Sequence, residues 1–234
     1  GYLAVSNSTA DQTISLTIRD SGSGGALKFV GNPSHVRSSL ISVSHNGVFA
    51  LEGGTIVAGR PAEYDHAANV ADFSLAGDQY TGRIEVTGGT IQINGDSGSV
   101  QVFPTDQQSG DKTITVTGGT FLNSDNSKYD ISGFIPAGAA LTQNENGEVV
   151  ENSSAKIVAE ANSVGYTTLE AAITAANAGD TVKLVSDVTL TGGYSDDSAA
   201  GLQIRKSIVI DGQDQYKIDT GSFSRGIRIY GGGS

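Results

Sequence analysis

"TVTGGTF", residues 115–121, has two near-copies upstream: "EVTGGTI" at 85–91 and "ALEGGTI" at 50–56. Each places an aliphatic residue, one polar residue, a Gly-Gly pair, a threonine and a second apolar residue in the same order. The copies lie 35 and 30 residues apart, and self-similarity at such a period is the mark of a chain that stacks supersecondary units.

The flanks sharpen the pattern. "TISLTIRDSG" (13–22), "GVFALEGGTI" (47–56), "RIEVTGGTI" (83–91) and "TITVTGGTF" (113–121) all place large apolar residues at alternate positions before the glycines. Alternation is the period of a half-buried strand. Glycine turns a corner at positive φ without steric cost, and β-branched threonine suits the strand that resumes. The unit is therefore strand, glycine corner, short second strand. One unit cannot close a core, whereas stacked neighbours can. The reading is an all-β chain of parallel coils, a β-solenoid, with loops at 57–80 and 94–111 protruding from it.

The plan resumes after residue 180. "DTVKLVSDVTLTGG" predicts strands at Thr181–Leu184 and Val188–Leu190, and "KSIVIDGQDQYKI" (206–218) predicts strand, turn and strand. "RGIRIYGGGS" (225–234) has the spacing of "GRIEVTGG" (82–89). Before them, "TTLEAAITAANAGD" (167–180) places Leu169, Ala172, Ile173 and Ala176 on one stripe of a helix. Thr167 and Glu170 have capping-box spacing, and Gly179 stands where a helix C-cap belongs. This short amphipathic helix is expected to cover the open end of the second stack. In "GFIPAGAALTQNENGEVVE" (133–151), Asn146-Gly147 between apolar stretches signals a hairpin. The division that results is 1–151, coils ending in a hairpin terminator, and 152–234, helix-capped coils.

Composition narrows the function. The 234 residues include 32 glycines, 37% hydrophobic residues, and 25 acidic against 14 basic side chains, a formal charge of -11. An acidic surface repels phosphate backbones and anionic lipid, which speaks against nucleic-acid and membrane-surface roles. No apolar run approaches the roughly 18–20 residues that cross a bilayer. Cysteine is absent, which removes disulfides, zinc thiolates and thiol nucleophiles. Such a chain suits the outside of a bacterial cell. Without methionine or a signal-peptide pattern, it is expected to be a mature or excised piece.

Three stretches carry a resemblance: "GYTTLEAAITAANAGDTVKLVSDVTL" (165–190), "KSIVIDGQDQYKI" (206–218), and "TGGTF" with the segment that runs to Val150. They resemble the right-handed parallel β-helix of the pectate-lyase-like superfamily, and within it tandem modules of large cell-surface proteins of Gram-positive gut bacteria. In that family the lid helix comes first and the hairpin terminator last; here the order is reversed. Tandem modules cut across their boundary, or a permutation, would give this order. The resemblance implies an adhesive or architectural role, since only some relatives cleave polysaccharides.

Chemistry on such a fold uses clustered carboxylates, alone for hydrolysis or with Ca²⁺ and a basic residue for lysis. The candidates are Asp196 and Asp197 in "YSDDSA" and Asp211 and Asp214 in "DGQDQ", with Arg205, Arg225 and Arg228 nearby. Asp beside glycine is also what turns select, because its carboxylate bonds local backbone. His35, His45 and His66 are the histidines, and they lack a nameable third metal ligand. No metal or cofactor is expected. A row of Thr55, Thr90 and Thr120 in one repeat position fills a corner or forms a small flat array.

The segment "GRPAEYDHAANVADFSLAGDQYTG" (59–82) offers Tyr64, Asp65, His66, Asp78 and Tyr80, aromatic and acidic groups suited to sugar or protein recognition from a rigid scaffold. Three functions remain: a non-catalytic surface stalk or adhesin that binds a glycan or host surface protein, a polysaccharide lyase or glycoside hydrolase, and a subunit that associates head to tail through open coil ends.

Overall fold

The computed structural model describes residues 3–6, 12–22, 24–30, 38–44, 46–59, 68–73, 82–94, 100–103, 112–191 and 199–230. The protein is mostly β, with parallel sheets. It divides into two compact units, one of residues 1–135 and 142–150, the other of residues 136–141 and 151–234.

In the first unit the strands are β1 (Leu3–Ser6), β2 (Ile14–Ile18), β3 (Ala26–Val30), β4 (Ser38–Ser44), β5 (Gly47–Leu51) and β6 (Thr55–Gly59). They continue with β7 (Ala68–Phe73), β8 (Gly82–Val86), β9 (Thr90–Asn94), β10 (Val100–Gln101), β11 (Lys112–Val116) and β12 (Thr120–Leu122). Three sheets deal these strands out in turn: β1-β4-β7-β10, β2-β5-β8-β11 and β3-β6-β9-β12. Each named pairing in them is parallel. The repeated heptads therefore lie one above another, pointing the same way: Glu85 pairs with Thr115, Val86 with Val116, and Thr90 with both Thr55 and Thr120.

Register places like on like. Leu16, Phe49, Ile84 and Ile114 form one inward column, and Leu27, Ile56, Ile91 and Phe121 another. Phe49, Ile84, Ile56, Ile91 and Phe121 are wholly buried, each side chain contributing about 1.5–3 kcal/mol of transfer free energy.

The glycine corners join the second sheet to the third through three residues at 52–54, 87–89 and 117–119. The ladder runs on through them: Thr87 N–H donates to Leu51 O (2.9 Å), Thr90 N–H to Gly54 O (2.8 Å), Thr117 N–H to Val86 O (2.8 Å) and Thr120 N–H to Gly89 O (2.9 Å). The second glycine of each pair needs positive φ: Gly54 81°, Gly89 79°, Gly119 94°. The first glycine is needed for another reason. A Cβ on Gly88 would overlap the Glu52 carbonyl oxygen, and one on Gly118 that of Thr87. Backbone lies directly on backbone at these corners.

One sheet was not legible in the repeats. Strands β7 and β10 fall inside 57–80 and 94–111, the stretches expected to protrude. Each supplies instead a strand of the first sheet. The connections between layers are correspondingly shorter than the sequence reading makes them.

After β12 the ladder meets antiparallel chain. Strands β13 (Leu141–Gln143) and β14 (Val149–Glu151) form the expected hairpin. Val149 N–H donates to Gly119 O (2.9 Å) and Phe121 N–H to Gly147 O (3.0 Å), with Thr120 opposite Glu148. The hairpin turn is longer than a two-residue Asn-Gly turn. Gly147 N–H closes on Asn144 O, and Gly147 alone of the Asn146-Gly147 pair takes positive φ, 79°. The side chain of Gln143 stitches the base, its Nε2 donating to Tyr129 O (2.8 Å) and Gly147 O (3.0 Å).

The second unit has β15 (Ala159–Ala161), β16 (Val164–Tyr166), helix α1 (Leu169–Ala175), β17 (Thr181–Leu184), β18 (Val188–Thr189), β19 (Ala200–Ile204), β20 (Val209–Asp211), β21 (Ile218–Asp219) and β22 (Arg225–Ile229). β17 pairs with β20, β18 with β21 and β19 with β22, all parallel. The helical stripe is as expected: Leu169, Ala172, Ile173 and Ala176 join Val182, Leu184, Leu202 and Ile204 in one buried cluster. The cap differs. Thr168, not Thr167, is the N-cap, its hydroxyl accepting from Ala171 N–H (3.1 Å). That shift moves Glu170 out of the capping-box position. The helix ends at Ala175, ahead of Gly179, and Lys206 Nζ donates to the Thr174 and Ala176 carbonyls (2.9 and 2.7 Å). The outer edge of β17 is covered by the antiparallel hairpin β15–β16, which the sequence reading missed.

Carboxylates hold several turns. Asp180 Oδ2 accepts from Asn177 N–H (2.6 Å), which keeps its carboxyl below the ordinary range. The Gly22 and Gly25 N–H groups do the same for Asp20. A carboxyl with a lowered folded pKa contributes stability that is complete above its unfolded value and lost as pH falls through the folded one. The thermal midpoint should therefore hold from neutrality downward and drop below pH about 4, near the ordinary Asp value. Asp180→Asn should flatten that drop, as melting followed across pH would show; an unchanged profile would refute the assignment to Asp180.

Candidate functional site

The residues proposed for recognition fall at the connections. Tyr64, Asp65 and His66 are in 60–67, between β6 and β7; Asp78 and Tyr80 are in 74–81, between β7 and β8. All five lie outside the described residues, as do His35, His45, Asp196 and Asp197. Chain order still fixes what these segments join. Segments 31–37, 60–67 and 95–99 each leave the third sheet and enter the first. Segments of variable length also join the first sheet to the second, at 7–13, 45–46, 74–81 and 102–111, whereas the glycine corners between the second and third sheets keep three residues.

Asp211 and Asp214 are described, and they serve a turn. Asp211 Oδ1 accepts from Gln213 N–H (2.8 Å), and Gln213 and Asp214 both take φ of 55°. Gln213 Nε2 reaches Leu184 O at 2.5 Å, tying this turn to the layer beneath. The Asp211 carboxylate holds the turn, and Asp214 contributes a left-handed backbone conformation to it. Among the described residues there is no group of three or more His, Asp or Glu fit to hold a metal ion, and no helix is long and apolar enough to cross a membrane.

The arginines are brought together only in part. β19 and β22 align Gln203 with Arg228 and Ile204 with Ile229. Tyr230 N–H donates to Ile204 O (2.9 Å), which continues the ladder by one step and sets Tyr230 beside Arg205. The guanidinium carbons of Arg205 and Arg228 each lie 4.3 Å from the centroid of the Tyr230 ring. Arg205 Nη2 also donates to the buried Gln203 Oε1 (2.8 Å). The electron-rich ring face offsets the repulsion of the two cations, each contact giving about 0.5–1 kcal/mol. Arg225 aligns with Ala200, three residues along the strand from Arg228. The sequence reading missed Tyr230. Its signal was the Arg-x-Tyr spacing of 228 and 230, which puts both side chains on one face of a strand.

Tyr230 Oη is buried and has no hydrogen-bond partner among the described residues. Tyr230→Phe should therefore leave stability unchanged or slightly raised, whereas Tyr230→Ala, which removes the ring, should lower it by about 1–2 kcal/mol. Chemical denaturation of both variants checks this, and a clear loss in the phenylalanine variant would contradict it.

Comparison of the chain with protein-family models, with curated proteins and with solved structures finds no match to any of them.

Proposed function

We propose that both units are stretches of right-handed parallel β-helix, and that the chain is a non-catalytic module of a bacterial cell-surface protein. In this reading the layered sheets are a rigid scaffold, and the segments at its edges bind a glycan or a host surface protein. One observation carries it: four layers stack in register, and their segments of variable length all lead into or out of the first sheet. A stack of this kind holds successive loops in a fixed array, which suits recognition of an extended ligand. The acidic charge and the absence of cysteine are consistent with an extracellular place. The turn role of Asp211 and Asp214 favours binding over cleavage.

The test is a screen of glycans and host surface proteins, beside a variant in which residues 60–67 are replaced by a Gly-Ser linker of equal length. The expected result is a ligand held by the native chain and lost by the linker variant, with circular dichroism unchanged. Equal binding by both would refute the role of the segment. Release of reducing ends from pectin or a related polymer would overturn the non-catalytic reading.

A further inference from the structure

Asn146 stands exposed in the turn between β13 and β14, directly ahead of Gly147. Other asparagine side chains are occupied. Asn123 Nδ2 donates to Lys128 O (2.9 Å), and Asn126 Oδ1 accepts from Gln92 Nε2 (2.8 Å). Asn144 Nδ2 donates to Glu148 Oε2 (2.8 Å), Asn152 Oδ1 accepts from Ser154 N–H (3.1 Å), and the Asn162 side chain bonds Asp180. The Asn146 amide makes no hydrogen bond among the described residues; only its backbone N–H is held, by Asn144 Oδ1 (2.9 Å). Asn46-Gly47 has the same sequence and opposite surroundings. Asn46 is partly buried with φ 60°, and the buried Gly47 pairs with both Ile14 and Gly82. Even a Cβ on Gly47 would overlap Val5 O. Asn94-Gly95 runs outside the described residues.

We propose that Asn146 is a site of spontaneous deamidation, and that its isoaspartate product loosens the hairpin from the last ladder strand. The main-chain nitrogen of Gly147 attacks Asn146 Cγ, and the new C–N bond closes a five-membered succinimide. The Gly147 N–H proton passes to solvent base, and the side-chain nitrogen takes a proton from water and leaves as ammonia. Water then opens the ring at Cγ, giving aspartate, or at the main-chain carbonyl carbon, giving isoaspartate. Glycine suits the attack because no Cβ screens its nitrogen. Its N–H must first leave Asn144 O, a 3.1 Å contact at the long end of the N–H···O range, and exposed turns open at little cost. Position makes the product matter. Gly147 O accepts from Phe121 N–H (3.0 Å) and Gln143 Nε2 (3.0 Å), which fasten the turn to β12 and to the hairpin base. Isoaspartate adds one main-chain atom ahead of Gly147 and draws that carbonyl out of line. Aspartate keeps the chain length and adds a carboxylate between the exposed Glu145 and Glu148. This chemistry does not depend on the ligand-binding role proposed above.

The folded chain is held at body temperature in mildly alkaline buffer. Peptide mass spectrometry follows the gain of one mass unit at each Asn-Gly step, and isoaspartyl methyltransferase labelling separates the two products. Asn146 should convert several-fold faster than Asn46, with isoaspartate among the products. Asn146→Gln, whose longer side chain closes the ring poorly, should lose the signal at this position and keep the circular dichroism of the native chain. Chains enriched in isoaspartate should melt below the Asn146→Asp variant, because added charge alone does not lengthen the backbone. A native chain without the gain at Asn146, or one in which Asn46 keeps pace, overturns the proposal. So does an isoaspartate-bearing chain that melts together with Asn146→Asp, since the hairpin would then remain fastened.

Discussion

Replacing Gly118 by alanine should lower the stability of the first unit by about 2–4 kcal/mol, as overpacking of an unyielding neighbour does. The new Cβ would overlap the carbonyl oxygen of Thr87, and that oxygen belongs to the corner of the layer below. No rotamer relieves the overlap, because backbone meets backbone. The layers must part, which stretches the Thr117–Val86 and Thr120–Gly89 hydrogen bonds that flank the corner. Gly53 is the internal control. It is the first glycine of the lowest Gly-Gly pair, and a Cβ there would come no nearer than 3.1 Å to any atom, the backbone nitrogen of Asp20. Gly53→Ala should therefore cost clearly less than Gly118→Ala in urea denaturation. Equal costs would show that a general loss of flexibility, and not the stacking of corners, makes these glycines necessary.

Truncating Phe103 to alanine should cost about 3–5 kcal/mol, in the range of large buried aromatics. Phe103 is 1% exposed just beyond β10, with its ring edge-on to Phe121 at 6.4 Å and to Phe134 at 5.2 Å. The trio links the last strand of the first sheet, the last strand of the third, and the helical turn Ser132–Phe134 that follows them. Phe103→Leu keeps much of the volume and should cost less than about 1.5 kcal/mol. Melting of the two variants separates the cavity from the chemistry of the ring. A small loss in the alanine variant would mean that the residue does not close this end of the core.

These two residues also mark what could and could not be read in the sequence. The glycine corners were legible because three unrelated demands coincide within five positions: an inward aliphatic, a residue without Cβ, and a residue tolerant of positive φ. Nothing comparable punctuates the first sheet. β4, β7 and β10 differ in length, and the segments that lead into them vary from five to eight residues, so no period links them. Phe103 consequently sat in a stretch taken as a loop. The helix shows the same contrast. Its apolar stripe, repeated over two turns, fixed the buried face. Its start was not legible: the capping-box spacing points to Thr167, whereas the pairing with Ala171 N–H makes Thr168 the N-cap. In the candidate site, Asp211 followed its ordinary preference for turns, and Tyr230 emerged only when register set it beside Arg205.

The regular offset of the ladder bears on how this protein reaches its native state. Ile14 pairs with Gly47, Thr55 with Thr90 and Thr90 with Thr120, so each strand finds its partner within roughly one period along the chain. Parallel sheets ordinarily fold slowly, because distant segments must be gathered before any contact stabilises them. Here the closure entropy of one short loop is met at a time. Growth can spread from any layer already formed to the next, including on a nascent chain still leaving the ribosome.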